Sequence, residues 1–408
     1  MQPLGRSLDQ NDRLFWTARL FDGFRWLRDV RIELGQGGRI QGLQEAVTPR
    51  AGEKRVSLIL PTLVNAHVHL ELGKLASSRS SPDFLTWVGQ VLQARASLSS
   101  GQIEQQARTN LTRLRRRGTG TLSEVDSLGY GAMALAESLE KQPFLSRCDA
   151  EVLGFDLDSK RAKALCESRF ASLPQGVKRG LSPHAPYSVA PALFDEARNM
   201  AVPLSIHVSE TPEELSFCRE GRGPFRDLLE ALGKLPAGFK PPGCSPLAQL
   251  HRLGLLGEGT VLIHLQELCP GDLEILEETH SPLVLCPGTI AYFGRPAPSY
   301  HAFREVGVPC ALGTDSLASN EDLDMFREME RFHRMFPEVG GEEVLKMGTS
   351  TGGKVLGIPE AGRLREGAPF DALIFSDFPQ GNDEETTDIL LSGRIPPFIP
   401  YARGESIL

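Results

Sequence analysis

Between Ser57 and Leu356 the chain repeats one pattern eight times: a short β-branched or apolar run, then a helical or mixed stretch. The runs are "SLILPTLVNAH" (Ser57–His67), "GTGTLSEVD" (Gly118–Asp126), "AEVLGFD" (Ala150–Asp156) and "VKRGLSPHA" (Val177–Ala185). They continue with "VPLSIHVSE" (Val202–Glu210), "GTVLIHL" (Gly259–Leu265), "SPLVLCPG" (Ser281–Gly288) and "VPCALGTDS" (Val308–Ser316). Strands that alternate with helices pair in parallel through right-handed crossovers. Eight such units predict an α/β chain built on a (β/α)8 TIM-type barrel. A doubly wound open sheet is the rival, but no G-x-G-x-x-G or Walker-type loop follows any run.

The ends of the chain read differently. "RLFWTARLF", "DVRIEL" and "GRIQGL" near the start, and "DALIFSD" and "TDILLSGR" near the end, read as small antiparallel strands with glycine turns. The expected organisation is a composite β-sandwich from residues 1–60 and 361–408, with the barrel over 61–360. One long helical region is expected from Asp83 to Arg117, and an insertion from Thr211 to Glu258.

In a barrel the C-terminal ends of all eight strands share one face, the face that carries active sites. The polar residues at those ends are therefore informative. They are His67 and His69, Glu124 and Asp126, His184, His207 and Glu210, His264, and Asp315. His67 and His69 stand two apart, so a strand would turn both imidazoles to one side. Five of the chain's nine histidines fall at inferred strand ends, which predicts a metal site. Three imidazoles and a carboxylate with one open position suit catalytic zinc; iron or manganese also accept such ligands. The fourth strand ends in Ser182 and His184, with no lysine to bridge two ions, so one divalent ion is expected.

A divalent ion lowers the pKa of bound water toward neutrality, which makes a nucleophile for a trigonal carbon. Glu210, three residues after His207, could carry the proton from water to the leaving group. His264 could polarise the attacked group or orient the nucleophile. His184, in "SPHAPYS", reads as substrate-facing. Glu71 reads either as the anchor of a supporting hydrogen bond or as a substrate contact. Cys286 reads as packing.

A formal charge of −8 argues against a nucleic-acid surface. The single basic cluster, "RLRRRG" (Arg113–Gly118), reads as cations in a helix's last turn, ended by Gly118. No apolar run is long enough to span a bilayer. "MQPLGRSLDQNDRLFW" lacks the apolar core of a secretory signal. The seven cysteines are scattered and never paired as C-x-x-C, as reduced thiols in a cytoplasm are. The expected partner is a small-molecule substrate, without nucleic acid or membrane; a homodimer is the commonest assembly.

The stretches "LPTLVNAHVHLEL", "HVSETPEEL", "LIHL" and "LGTDSLASNEDLDMFREM" resemble the amidohydrolase superfamily, in its chlorohydrolase and aminohydrolase branch. "GTSTGGKVLGI" and "GRLREGAPFDALIF" extend the resemblance over nearly the whole chain. It implies that His67, His69, His207 and Asp315 bind the metal. It implies Glu210 as acid/base, His264 as a catalytic partner, and Asp315 as acceptor of the water's proton. Glu71 and His184 remain the expected substrate contacts. "HLELGKLASSRSSPDFLTWV" (His69–Val88) is similar to aminodeoxyfutalosine deaminases. The implied reaction replaces the exocyclic amine of an aminopurine nucleoside or similar heterocycle and releases ammonia. Hydrolysis of another C–N or a C–Cl bond, or a non-catalytic scaffold, are the alternatives. Nucleoside-deaminating relatives often carry Cys-Pro-x-Ser-Asn after the seventh strand; here "CPGTIAY" (Cys286–Tyr292) stands, which bears on a substrate contact.

Overall fold

The computed structural model describes residues 13–75, 83–141 and 143–407. The opening segment through residue 12, which lacks the apolar core of a secretory signal, lies outside the described residues, as does the part of the 69–88 stretch from 76 to 82.

Fifteen strands among the described residues divide into two sheets. β1 (Leu14–Phe21), β2 (Trp26–Leu34), β3 (Ile40–Gln44) and β4 (Lys54–Pro61) come from the first part of the chain. The barrel strands are β5 (Leu63–Val68), β6 (Thr119–Asp126), β7 (Arg147–Val152), β8 (Lys178–Pro183), β9 (Leu204–Val208), β10 (Thr260–His264), β11 (Leu283–Leu285) and β12 (Cys310–Leu312). β13 (Ala372–Phe375), β14 (Ile399–Ala402) and β15 (Glu405–Ser406) return to the first sheet.

β5 to β12 lie side by side in chain order, each parallel to the next. A parallel bridge between Val68 and Asp315 brings the first and last of them together. Asn65 ties the same two elements. Its Nδ2 donates to Thr314 Oγ1 at 2.8 Å, and its Oδ1 accepts from the Thr314 amide at 3.1 Å. Gly313 allows this approach, because a Cβ there would meet the His67 backbone nitrogen and oxygen at 2.9 Å. β5, β9 and β10 are buried along their whole length, as parallel strands covered on both faces are.

The run read as one strand, Ser57–His67, serves both sheets. β4 belongs to the terminal sheet and β5 to the barrel, with Thr62 as the joint. Both halves are apolar on both faces, so periodicity leaves no mark at the switch. The helical region from Asp83 to Arg117 is two helices, Phe84–Ser97 and Ser100–Arg116, parted by a capping box of Ser99 and Gln102. Gly118 follows with φ +88°. Arg115, in the basic cluster, is buried, donates to the carbonyls of Thr119 and Gly120, and lies over the Phe144 ring.

The terminal sheet has the order β15-β14-β13-β4-β1-β2-β3. It is mixed, correcting the antiparallel expectation: β1 pairs with β4 in parallel because β2 and β3 intervene between them. "TDILLSGR" is not a strand. Its first residues close the helix Asp383–Leu390, which opens on a capping box of Asn382 and Glu385 and has three acidic residues in its first turn. Such a start favours helix. The sheet rolls up, since the β3 edge reaches the segment before β13 through Ile40 N to Ala368 O (2.9 Å) and Phe370 N to Gly38 O (2.8 Å). Phe15, Val30, Ile32, Ile59, Phe370 and Tyr401 belong to the core it encloses.

Candidate metal centre

The ends of β5, β9, β10 and β12 converge. The His67, His69 and His207 ligand atoms all lie within 4.8 Å of one another, as do those of His67, His264 and Asp315. His69 Nε2 is 3.4 Å from His207 Nε2, and Asp315 Oδ1 is 3.6 Å from His67 Nε2 and 3.8 Å from His69 Nε2. All five side chains are buried. Both ring nitrogens of His67, and Nδ1 of His69, have no hydrogen-bond partner. Buried polar atoms are nearly always partnered, so these lone pairs fit a group that accepts them. Three imidazoles and a carboxylate fit a divalent ion.

Neighbouring groups aim the donors. His207 Nδ1 lies 3.0 Å from the His184 carbonyl, which leaves Nε2 to face the cluster. Asp315 Oδ2 accepts from Ser319 Oγ at 2.8 Å and Thr289 Oγ1 at 3.0 Å, so Oδ1 faces the histidines. Thr289 belongs to the "CPGTIAY" stretch, and this bond is its contribution to the site. Burial, then the charge of His67, pulls the His69 imidazole down to about 4. Burial also lowers His207 and His264. Burial pushes the Asp315 carboxyl up, but the facing imidazoles, His67 first, hold it well below the usual carboxylate range. Neutral imidazoles and an ionised carboxylate are the forms that bind metal. Ser209, His264, Leu265 and Asp315 all have positive φ, between 43° and 74°. Non-glycine residues held so cost about 1–3 kcal/mol each and cluster at functional sites.

Glu210 stands beside this ring. Its Oε2 is 3.9 Å from His264 Nε2, and its Oε1 accepts from Arg295 Nη1 at 3.0 Å. Arg295 lies over the Phe293 ring at 4.4 Å and the Phe84 ring at 5.4 Å. The Glu210 amide donates to Glu214 Oε2 at 2.8 Å. The insertion holds three helices, Pro212–Glu220, Pro224–Ala231 and Pro246–Arg252. Phe217 and Phe225 from it cluster with Phe84 and Phe293, and Phe225 stacks on Tyr187 at 3.9 Å.

His184 lies with its ring 5.0 Å from that of His207, and Ser188 Oγ fixes its Nδ1 at 2.6 Å. Glu71 is engaged by backbone. It accepts from the amides of Leu128 (2.9 Å), Tyr130 (2.8 Å) and Gly131 (3.3 Å), ahead of the helix Tyr130–Lys141. Glu124 accepts from the Leu70 amide, and Asp126 from the Ala132 amide and Arg169. Cys286 is a buried thiol at the end of β11.

Sequence reading missed Glu151, Thr289, Ser319 and Arg295. Glu151 is the last residue but one of β7 and is bonded to Ser127 Oγ at 2.5 Å. Burial pushes its carboxyl up, but His184 and His69 hold it below its ordinary value. Its place beside Val152 in a strand was the available signal.

Fold and site together define a (β/α)8 barrel whose C-terminal face carries a buried histidine–aspartate cluster that could hold a divalent ion. The amidohydrolase family matches residues 58–395, and the chain belongs to that family, hydrolases that act on carbon–nitrogen bonds. It is 28% identical over 331 residues to the aminodeoxyfutalosine deaminase of Deinococcus radiodurans, covering 76% of each chain. It is 28% identical over 377 residues to the 5-methylthioadenosine/S-adenosylhomocysteine deaminase of Nitratidesulfovibrio vulgaris, covering 86% of this chain and 78% of the other. The crystal structure of Helicobacter pylori aminofutalosine deaminase in complex with methylthio-coformycin superposes with a TM-score of 0.81 at 20% identity, over 97% of this chain and 100% of that one.

Proposed function

We propose that the chain is a zinc-dependent deaminase of adenosine-like nucleosides, with aminodeoxyfutalosine-like substrates first among them. The observation that carries this is the placement of Glu210. It lies beside the ligand ring, is held on one oxygen by Arg295, and faces His264 with the other. The names of the two relatives supply the substrate class.

His67, His69, His207 and Asp315 would hold the ion, and four such donors with an open position suit zinc. When bound, the ion supplies the Lewis acidity that makes water a nucleophile at neutral pH. Asp315 Oδ1, turned inward because Oδ2 is taken, accepts a proton from the water. Glu210 delivers a proton to the ring nitrogen next to the amine-bearing carbon, which makes that carbon more electrophilic. Oxygen replaces nitrogen at the carbon, the amine leaves as ammonia, and water supplies both oxygen and hydrogen. His264 orients the nucleophile from beside Glu210. His184, its Nδ1 fixed by Ser188, offers Nε2 to the substrate. Glu71 acts on the substrate side by fixing the Leu128–Gly131 loop. Seven cysteines without a disulfide support a cytoplasmic setting, and no helix among the described residues is long and apolar enough to cross a membrane.

The test is ammonia release from aminopurines, their nucleosides, aminodeoxyfutalosine, cytosine and triazines, with elemental analysis of the protein. Ammonia from one nucleoside, lost in Glu210→Gln, is the expected result. Metal-replete protein that releases none from the whole panel would sink the proposal and redirect the search to amides, amidines and halides. Iron or manganese at full occupancy would overturn the choice of zinc alone.

A further inference from the structure

We infer that Arg295 is a positioning residue for the reaction: it holds the Glu210 carboxylate so that Oε2 carries the proton, and two aromatic rings hold Arg295 for that task. The inference rests on the reading of Glu210 as the acid/base. A carboxyl group turns about a broad, two-fold torsion, so a proton carrier needs a partner that stops the rotation. Arg295 Nη1 donates to Glu210 Oε1 at 3.0 Å, while Oε2 turns toward His264, 3.9 Å from its Nε2.

Arg295 is itself fixed at both ends. Gly294, with φ +63°, closes the helix Pro287–Phe293. The Arg295 amide then donates to the Ile290 carbonyl at 3.0 Å, and the Pro296 carbonyl accepts from Gln266 Nε2 at 2.7 Å. Gln266 stands two residues after His264, so one short segment carries both His264 and the anchor of the Arg295 backbone. At the other end, the guanidinium lies over Phe293 at 4.4 Å and over Phe84, the first residue of the helix Phe84–Ser97, at 5.4 Å. Aromatic faces hold a flat cation in this way. The side chains of Arg295 and Glu210 are 13% and 7% exposed. A pair so buried adds little net stability over apolar groups of the same volume. What it supplies is direction, and a misplacement of about 1 Å at a reacting group costs about 10²-fold in rate.

The test uses full-length, metal-replete protein and has two arms. The first reads kcat and KM from ammonia release. Arg295→Ala should lower kcat by about 10²-fold, with KM little changed and metal content that of wild type. Arg295→Lys should keep part of the lost rate. Millimolar methylguanidinium should restore rate to Arg295→Ala, but not to Arg295→Ala combined with Phe293→Leu. A kcat equal to or above that of wild type overturns the positioning role, and so does a raised KM with kcat intact, which marks a substrate contact instead. A loss that neither lysine nor methylguanidinium relieves reduces Arg295 to packing. The second arm needs no turnover. Methylguanidinium should raise the melting temperature of Arg295→Ala, the gain should shrink when Glu210→Gln is added, and wild type, whose own guanidinium fills the slot, should show none. No gain, or the same gain in all three proteins, overturns the clamp. Wild type that releases no ammonia from any substrate sinks the deaminase reading alone, and the second arm still decides whether the two rings hold a cation against Glu210.

Discussion

Two buried clusters of ionisable side chains sit at the same end of the barrel. At the ends of β5 and β6, Glu71, Glu124 and Asp126 are crowded together. At the ends of β5, β9, β10 and β12, four histidines face Asp315. Both are buried, and burial displaces acid–base equilibria in both: it lifts Glu71 to about 7 and Glu124 well above its ordinary value, as it lowers His69, His207 and His264. The difference lies in their partners. Every carboxylate of the first cluster accepts from backbone amides. The second cluster leaves imidazole nitrogens with nothing to bond. Burial and charge density are therefore common to both clusters; unpartnered imidazole nitrogens distinguish the second. The carboxylates fix the loops around the site, and the histidines present nitrogens that could hold an ion.

The largest test removes a ligand. His207→Ala or Asp315→Asn should drop the metal content of purified protein well below that of wild type and reduce ammonia release to background. The fold should persist, read by far-ultraviolet circular dichroism, because the barrel closes through Asn65 and Thr314. If metal content and activity survive, the histidine cluster is only another packed polar core, and the contrast collapses.

Next in size is Glu210→Gln, which keeps shape and removes the transferable proton. It should lower kcat by about 10²–10⁴-fold, with metal content unchanged. Removing the groups that aim Asp315 should act more mildly. Ser319→Ala or Thr289→Val should weaken metal affinity about 10–100-fold, measured by competition with a chelator. Glu124 supplies the converse. Glu124→Ala strips the Leu70 amide of its partner and should cost about 1–3 kcal/mol of stability in chemical denaturation, while metal stoichiometry stays that of wild type. Glu124→Gln keeps an acceptor and should cost less. A Glu124→Ala protein that folds normally and loses its metal would move this cluster to the reactive side of the comparison.

The barrel, and the gathering of polar side chains at one of its faces, were legible because each depends on local pattern. A buried parallel strand needs a short apolar run, and a polar side chain at its end must interrupt that run. His67, His69, His207, His264 and Asp315 all stand at such interruptions. What the partners do was not legible. Arg295 meets Glu210 across 85 residues, and Asp315 meets Thr289 across 26; no periodicity encodes either pairing. Glu71 illustrates the same gap: sequence gave it two readings, and only the folded chain brings the Leu128, Tyr130 and Gly131 amides to its carboxylate. The joint at Thr62 escaped for another reason, since an apolar run can feed two sheets without a change in composition.

The effect expected to reach least into catalysis concerns Glu214, a buried carboxyl beside Glu210 that shares the environment of the filled cluster. Its Oε2 accepts the Glu210 amide, its Oε1 has no partner, and burial pushes it up to about 8. In the unfolded chain it ionises near the ordinary glutamate value. Between that value and about 8, the folded protein therefore binds more protons than the unfolded one. Stability must fall as pH rises through this window. The loss amounts to a few kcal/mol at most, at about 1.4 kcal/mol for each pH unit of displacement. Below the window both states are protonated, and above it both are ionised, so the dependence ends on either side. Glu214→Gln removes the ionisation and keeps an acceptor for the Glu210 amide. Denaturation midpoints of this variant, compared with wild type from pH 5 to 8, should show a flatter fall, with kcat nearly retained. Parallel pH profiles for the two proteins would show that Glu214 keeps its charge on folding, and that burial near Glu210 is wetter than the hydrogen bonding implies.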